Sequence, residues 1–165
     1  LEFLKEILFE EKDPEVIEQL LKALAKLNTP EIVPVFTNFF QIAPQWQETI
    51  LKLLGQMKQS EGFLFIIEQL PHWALTLQRQ SLELLGKSQE TWILPTLLNY
   101  LQASDWHLQR SAIEALGYFP QMEALNALKD LLVEVKENRH VWGWILRSAI
   151  HDAMEQIRMR ETLRF

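Results

Sequence analysis

The side chains best suited to chemistry are scattered along this chain. His72, His107, His140 and His151 are its neutral-nitrogen donors. No two stand four residues apart, the spacing that turns two imidazoles onto one helical face to hold zinc. His151, Asp152 and Glu155 do fall within one helical turn, but that is also what a solvated helix surface carries, and no metal is predicted. Ser60, Ser81, Ser88, Ser104, Ser111 and Ser148 include none in the glycine-flanked turn that exposes a nucleophile. The glycines are too far apart to cradle a phosphate. With no cysteine there is neither disulfide nor thiol chemistry, which fits a reducing compartment. These residues predict no catalytic centre and no cofactor, so the chain reads as a binding protein and not an enzyme.

The elements that carry these residues repeat. Gly55, Gly86 and Gly117 recur every 31 residues, and Ala25 stands 30 residues before the first. Each closes a similar apolar stretch: Leu20-Leu21-Lys22-Ala23-Leu24, Ile50-Leu51-Lys52-Leu53-Leu54, Ser81-Leu82-Glu83-Leu84-Leu85 and Ala112-Ile113-Glu114-Ala115-Leu116. A fixed period of this size marks a stack of small units, because one unit cannot bury its own apolar face. Residues 13–42 show the unit. Asp13-Pro14 caps and starts a helix, in which Val16, Leu20, Leu21, Leu24 and Leu27 form one stripe. Asn28-Thr29-Pro30 ends it, with Thr29 as the next cap, and a second helix buries Ile32, Val33, Phe36, Phe39 and Phe40. Pro34 falls in its first turn, where a missing N–H costs little.

Each unit is thus a helical hairpin, helix A followed by helix B. The offsets predict A helices over 44–57, 73–87 and 105–117 and B helices over 61–71, 90–103 and 121–137. Each glycine is expected to end its A helix in the left-handed conformation. Residues 1–11 read as a lone B helix and 141–160 as a final A helix. The expected fold is all-α, a right-handed α-solenoid of antiparallel helix pairs with about ten helices. It forms one repeat domain over 1–165, with hairpins at 13–42, 43–72, 73–103 and 104–138 and a terminal A helix and tail over 139–165. The chain starts at Leu1, without methionine, and is expected to be a fragment of a longer one.

Composition narrows the partners. With 48% hydrophobic and 23% charged residues the chain is not a disordered one. No apolar run approaches membrane-spanning length, and Glu2, Lys5, Glu6, Glu10 and Glu11 break any leader-like start, so a cytoplasmic protein without a membrane partner is expected. A net charge of −6 argues against nucleic acid. Only the tail, with Arg158, Arg160 and Arg164, offers a local basic spot.

Asp105, Arg110 and Ala115-Leu116-Gly117 in one unit, Asp13-Pro14 and Thr29-Pro30-Glu31-Ile32-Val33-Pro34 in another, and Pro95 at the place of Pro34 carry a recognisable pattern. It resembles the short bacterial HEAT-like repeat, the type known from phycobilin lyases, and the resemblance covers nearly the whole chain. It implies that the arginine seven residues before each glycine ties successive repeats by polar contacts. That position reads Glu18, Glu48, Arg79 and Arg110, and then Arg147 in the matching stretch Arg147-Ser148-Ala149-Ile150. It also implies that the B helices line the partner face. Offsets seven, eight, eleven and fifteen after the glycine should be core, and nine, ten and thirteen should face the groove.

The groove set is Pro34, Val35 and Asn38; Leu64, Phe65 and Glu68; Pro95, Thr96 and Asn99; Asn126, Ala127 and Asp130. The thirteenth offset forms a polar ladder of Asn38, Glu68, Asn99 and Asp130, able to bond a peptide backbone. Trp92 stands where other repeats carry Glu31, Glu61 and Glu123, and an aromatic at such a place can anchor a partner. Trp46 is expected to be core, and Trp142 and Trp144 to cover the last repeat or meet a following domain. The expected binding residues are Val35, Asn38, Leu64, Phe65, Glu68, Trp92, Thr96, Asn99 and Asp130, for a helical or extended protein segment. The resemblance supplies an alternative, a tetrapyrrole (bilin)-handling lyase subunit or chromophore-protein binding factor. There Trp92, Phe65 and Tyr100 would stack on the chromophore, with Arg79 or Arg110 near its propionates. No lyase-specific catalytic residue carries over.

Overall fold

The computed structural model describes residues 2–137 and 141–162. Its described residues form ten α-helices and three short 3-10 turns, with no strand. The helices are α1 (Glu2–Glu10), α2 (Pro14–Leu27), α3 (Ile32–Ile42), α4 (Gln47–Met57), α5 (Ser60–Gln69), α6 (Leu75–Ser88), α7 (Leu94–Tyr100), α8 (Trp106–Leu116), α9 (Met122–Glu137) and α10 (Gly143–Thr162). Side-chain caps set two of the starts. Asp13 accepts the Glu15 N–H at 2.9 Å, and Asp105 accepts those of His107 at 2.8 Å and Leu108 at 3.3 Å. Each satisfies N–H groups that the first helical turn leaves without partners. Thr29 is not the cap of α3. Its carbonyl accepts the Ile32 N–H and that of Pro30 accepts the Val33 N–H, at 3.0 and 3.1 Å, so a turn precedes a helix that begins at Ile32.

The helices fall into two compact units, Leu1–His72 and Trp73–Phe165, divided where one expected hairpin gives way to the next. In the first, A helices α2 and α4 pack on each other, as do B helices α3 and α5. Helix α1 packs on α2 and sets Phe9 edge-on to Phe39 of α3, with ring centroids 5.6 Å apart. In the second unit α8 packs between α6 and α10, and α7 packs on α9. The expected B-helix core is almost entirely present. Ile32, Val33, Phe36 and Phe40 are buried, as are Gly62, Phe63, Ile66 and Leu70, then Ile93, Leu94, Leu97 and Leu101, then Ala124, Leu125 and Leu128; Leu132 alone is half-buried. Burial of such a side chain stabilises by about 1.5–3 kcal/mol.

The A-helix stripe is narrower than expected. Leu21 and Leu24 are buried, but Val16 and Leu27 stay exposed, and Ile17 fills the core in place of Val16. Val16 shares its offset with Trp46, Leu77 and Leu108, and all three of these are half-buried. That offset is the flank of the helix and not its core line, which corrects the assignment of Trp46. Ser81 takes the place of Ile50 and Ala112 in the core and is fully buried. Its hydroxyl has no hydrogen-bond partner among the described residues.

The glycines do not do what their spacing suggests. None of the described glycines has positive φ. The left-handed residues are Asn28 (φ 49°), Lys58 (φ 55°) and Gln89 (φ 58°), each three positions after Ala25, Gly55 or Gly86. Helices α4 and α6 run past their glycines to Met57 and Ser88. Gly86 is required for packing instead: a Cβ there would lie 2.7 Å from Ala115 Cα of α8. At Gly117 a Cβ would meet Gln156 Oε1 at 2.8 Å and Ala153 Cα at 3.2 Å. Three residues after Gly117 stands Pro120, whose ring holds φ negative, so the late left-handed cap is closed to this repeat. Helix α8 accordingly stops at Leu116 with Gly117 right-handed.

Two substitutions separate the packing role from the capping role. Gly86→Ala is expected to destabilise by ~1–3 kcal/mol, because backbone and not a flexible side chain blocks the new methyl. Gln89→Gly is expected to stabilise by ~0.5–1 kcal/mol by relieving the left-handed strain of a side-chain-bearing residue. Chemical denaturation of both variants reads the signs; the opposite pair of signs would restore Gly86 as the cap.

Candidate functional site

Two grooves stand out in the second unit, one on each helical layer. The larger, of about 730 Å³, runs over A helices α6, α8 and α10. Small side chains such as Ser111 and Ala149 open it, because helices that meet at Gly86 and Gly117 carry little bulk beside the contact. Arg79, Arg110, Tyr118 and Trp144 line it with the acids Glu83, Glu114 and Asp152. Much of this charge is neutralised in place. Arg110 Nε donates to Glu114 Oε1 at 2.7 Å, one turn along its own helix. Lys87 pairs with Glu83 at 2.5 Å, and that hydrogen bond raises the pKa of the lysine ammonium. Behind Tyr118, the Arg160 guanidinium lies 4.7 Å from the ring centroid, and its Nη1 is buried without a hydrogen-bond partner among the described residues.

This geometry revises the role implied for the repeated arginine. Arg110 is tied along its own helix and not to a neighbouring repeat. Arg147 continues the pattern in sequence but turns away from the groove, and its Nε donates to the Gly143 carbonyl at 3.2 Å. Ser148 and Asp152 take the groove side of α10 instead.

The second groove, of about 510 Å³, lies between B helices α7 and α9. Its floor includes Leu98, Leu101 and Leu131, and its rim carries Glu123, Asp130 and Glu134. Of the expected binding residues only Asp130 lines it. Thr96 is half-buried, and Asn99 and Trp92 are exposed on or beside α7 without reaching this groove. The miss has a geometric cause. A groove between two helices takes one flank of the first and the opposite flank of the second, so a single offset cannot describe both. Glu123 and Glu134 were legible all the same, since with Ala127 and Asp130 they are spaced by four, three and four residues and make one stripe.

In the first unit Asn38, Leu64 and Glu68 are exposed on α3 and α5 as expected. Val35 is not available: only 6% of its surface is accessible, and it belongs to the core of α3. Phe65 is half-buried and stands edge-on to Phe40 with centroids 5.6 Å apart, so it joins α5 to α3 as well as facing outward. Trp142 stacks on Trp106, centroids 4.9 Å apart, and Trp106 stacks in turn on His107. Trp142 thus covers the start of α8, while Trp144 remains mostly exposed at the A-layer groove. Among the described residues no group of three His, Cys, Asp or Glu could hold a metal ion; His140 lies outside them, as do Leu1 and Arg164. No helix among them is long and apolar enough to cross a membrane.

A family model described as HEAT repeats matches residues 60–142, half of the chain. No curated protein matches it. If Arg110 serves only its own helix, Arg110→Ala is expected to cost no more than ~0.5 kcal/mol, the range of an exposed pair one turn apart. Thermal denaturation checks this; a loss of several times that size would mean that the arginine holds repeats together.

Proposed function

The chain belongs to the HEAT-repeat family, and from that premise we propose that it is a protein-interaction scaffold or regulatory module, without catalysis of its own, which binds a helical or extended segment along its B helices. The observation that supports this most is a repeated one. The ninth and thirteenth offsets after the A-helix glycine, or after Ala25, are exposed in all four repeats: Pro34 and Asn38, Leu64 and Glu68, Pro95 and Asn99, Asn126 and Asp130. One of these B helices therefore shows solvent Asn126 before Asp130, and the other three show an apolar residue one turn before an amide or carboxylate. That is the combination that offers contact area together with hydrogen bonds to a backbone. Leu64, 47% exposed, is the apolar member of this set on α5, and Trp92, 40% exposed, adds an aromatic one shortly before α7.

The tetrapyrrole alternative draws on a different surface from the one its sequence pattern suggests. Arg79 and Arg110 share the A-layer groove with Tyr118 and Trp144, whereas Tyr100 stands on α7. Glu83, Glu114 and Asp152 line the same groove and oppose an anionic chromophore. Adding a bilin and recording its absorbance tests this reading directly. A red-shifted, intensified band that Arg79→Ala abolishes would favour it over the scaffold.

The scaffold reading is tested by affinity capture with quantitative mass spectrometry, followed by titration of the captured partner. Trp92→Ala is expected to weaken binding by ~30-fold and Leu64→Ala by less, as befits a buried aromatic anchor and its surroundings. Glu68→Lys should act mainly on the association rate. Phe65→Ala is unsuitable, since removing its ring also unpacks Phe40. Glu15→Lys, exposed at the start of α2, should leave binding intact. Normal binding by the B-helix variants, with loss in Glu15→Lys or Arg79→Ala, would refute the B-helix face.

A further inference from the structure

The charges of α9 are sorted by side. Its acids are Glu123, Asp130, Glu134 and Glu137, and its bases are Lys129 and Lys136. Three of the four acids line the groove against α7, and neither lysine does. Helix α7 contributes no charged residue. Asp130 and Glu134, one turn apart, repel each other at a cost of a few tenths of a kcal/mol. Glu123, Asp130 and Glu134 enter no ion pair and no side-chain hydrogen bond among the described residues. Along the helix they span about 16 Å at the α-helical rise, over a floor that includes Leu98, Leu101 and Leu131. The result is a trough about three turns long, with a narrow leucine floor in which Leu101 and Leu131 are nearly covered, Gln102 and Asn126 beside it, and a rim of uncompensated negative charge.

The A-layer groove is larger but differs in kind. Its Glu114 is held by Arg110 and its Glu83 by the neighbouring Lys87, and Arg79 and Asp152 add one charge of each sign, so no net charge is left to select an occupant. The α7–α9 groove does select one. We infer that it takes a basic amphipathic helix, whose apolar residues rest on the leucine floor while its lysines or arginines reach the three carboxylates. This rests on the scaffold reading above and names the chemistry of the segment bound. A cationic partner removes the repulsion along α9 and gains Coulomb attraction, whereas an acidic partner of the same shape adds to the repulsion.

The test uses the whole chain and two synthetic helical peptides that share one leucine pattern, one carrying lysine and the other glutamate at every polar position. Isothermal titration at low salt is expected to show the lysine peptide binding at least ~10-fold more tightly, with the preference shrinking as salt shortens the Debye length. Asp130→Lys with Glu134→Lys should reverse the preference, and the milder Asp130→Asn with Glu134→Gln should flatten it, both with unchanged helical circular dichroism. Equal binding of the two peptides, no binding of either, or a preference that survives both double variants overturns the inference. In those cases, a captured partner that still depends on Trp92 and Leu64 leaves the scaffold reading standing. If the partner ignores those residues as well, that reading falls too.

Discussion

The second unit depends on one contact without a side chain. At Gly86, α6 approaches α8 so closely that a methyl group would stand inside the van der Waals surface of the Ala115 backbone. Fixing that distance fixes how α6 and α8 register, which sets where Arg79, Glu83, Arg110 and Glu114 emerge. It also accounts for the sparse bulk along the A-layer groove, since helices held this close can carry only small residues at the seam. The same approach at Gly117 brings α10 against α8 through Ala153 and Gln156. The small-residue seam of the A-layer groove thus follows from backbone proximity.

The A helices and α9 handle charge in opposite ways. On α2, α6 and α8 an acid and a base stand one turn apart, and Lys22–Glu18, Lys87–Glu83 and Arg110–Glu114 all close within their own helix. Such pairs add little stability, but they leave the surface electrically quiet. On α9 the two signs lie on different sides, so the helix presents a field and not a neutral mosaic. A surface with a net field attracts selectively and orients what it attracts. That contrast, more than groove size, sets α9 apart from the A helices.

The sequence disclosed the B-helix core nearly residue for residue, because a buried helical stripe admits only apolar types and its period is set by the backbone. Ile66, Leu97 and Leu128 could be named from their distance to the preceding glycine alone. It misled where one residue type serves two physical ends. Glycine is selected for positive φ and for lack of bulk, and the pattern before Gly86 looks the same in either case; only the position of Ala115 tells them apart. Lys58 and Gln89, which carry the left-handed turn, have no preference that would betray it. Val35 misled in another way: the flank of α3 that its offset assigned to solvent is covered in that repeat, although the same offset is half-buried at Phe65, Thr96 and Ala127. The acidic stripe of α9 was legible, because charge and spacing coincide there. The α7 wall of that groove was not, since Leu101 read as ordinary core and the offset of Leu98 was assigned to neither core nor groove.

The stacked indoles of Trp106 and Trp142 make the chain its own optical instrument. Two near-parallel chromophores 4.9 Å apart and 22° from coplanar share their excited states, so their absorption is no longer that of separate rings. One ring opens α8 and the other immediately precedes α10. Their coupling therefore exists only while those two helix starts are held together. Near-ultraviolet dichroism, which reports the fixed surroundings of these rings, then carries a signal for the seating of α10 beside the far-ultraviolet signal for helix content. A loosening of that last helix becomes visible while every helix is still intact.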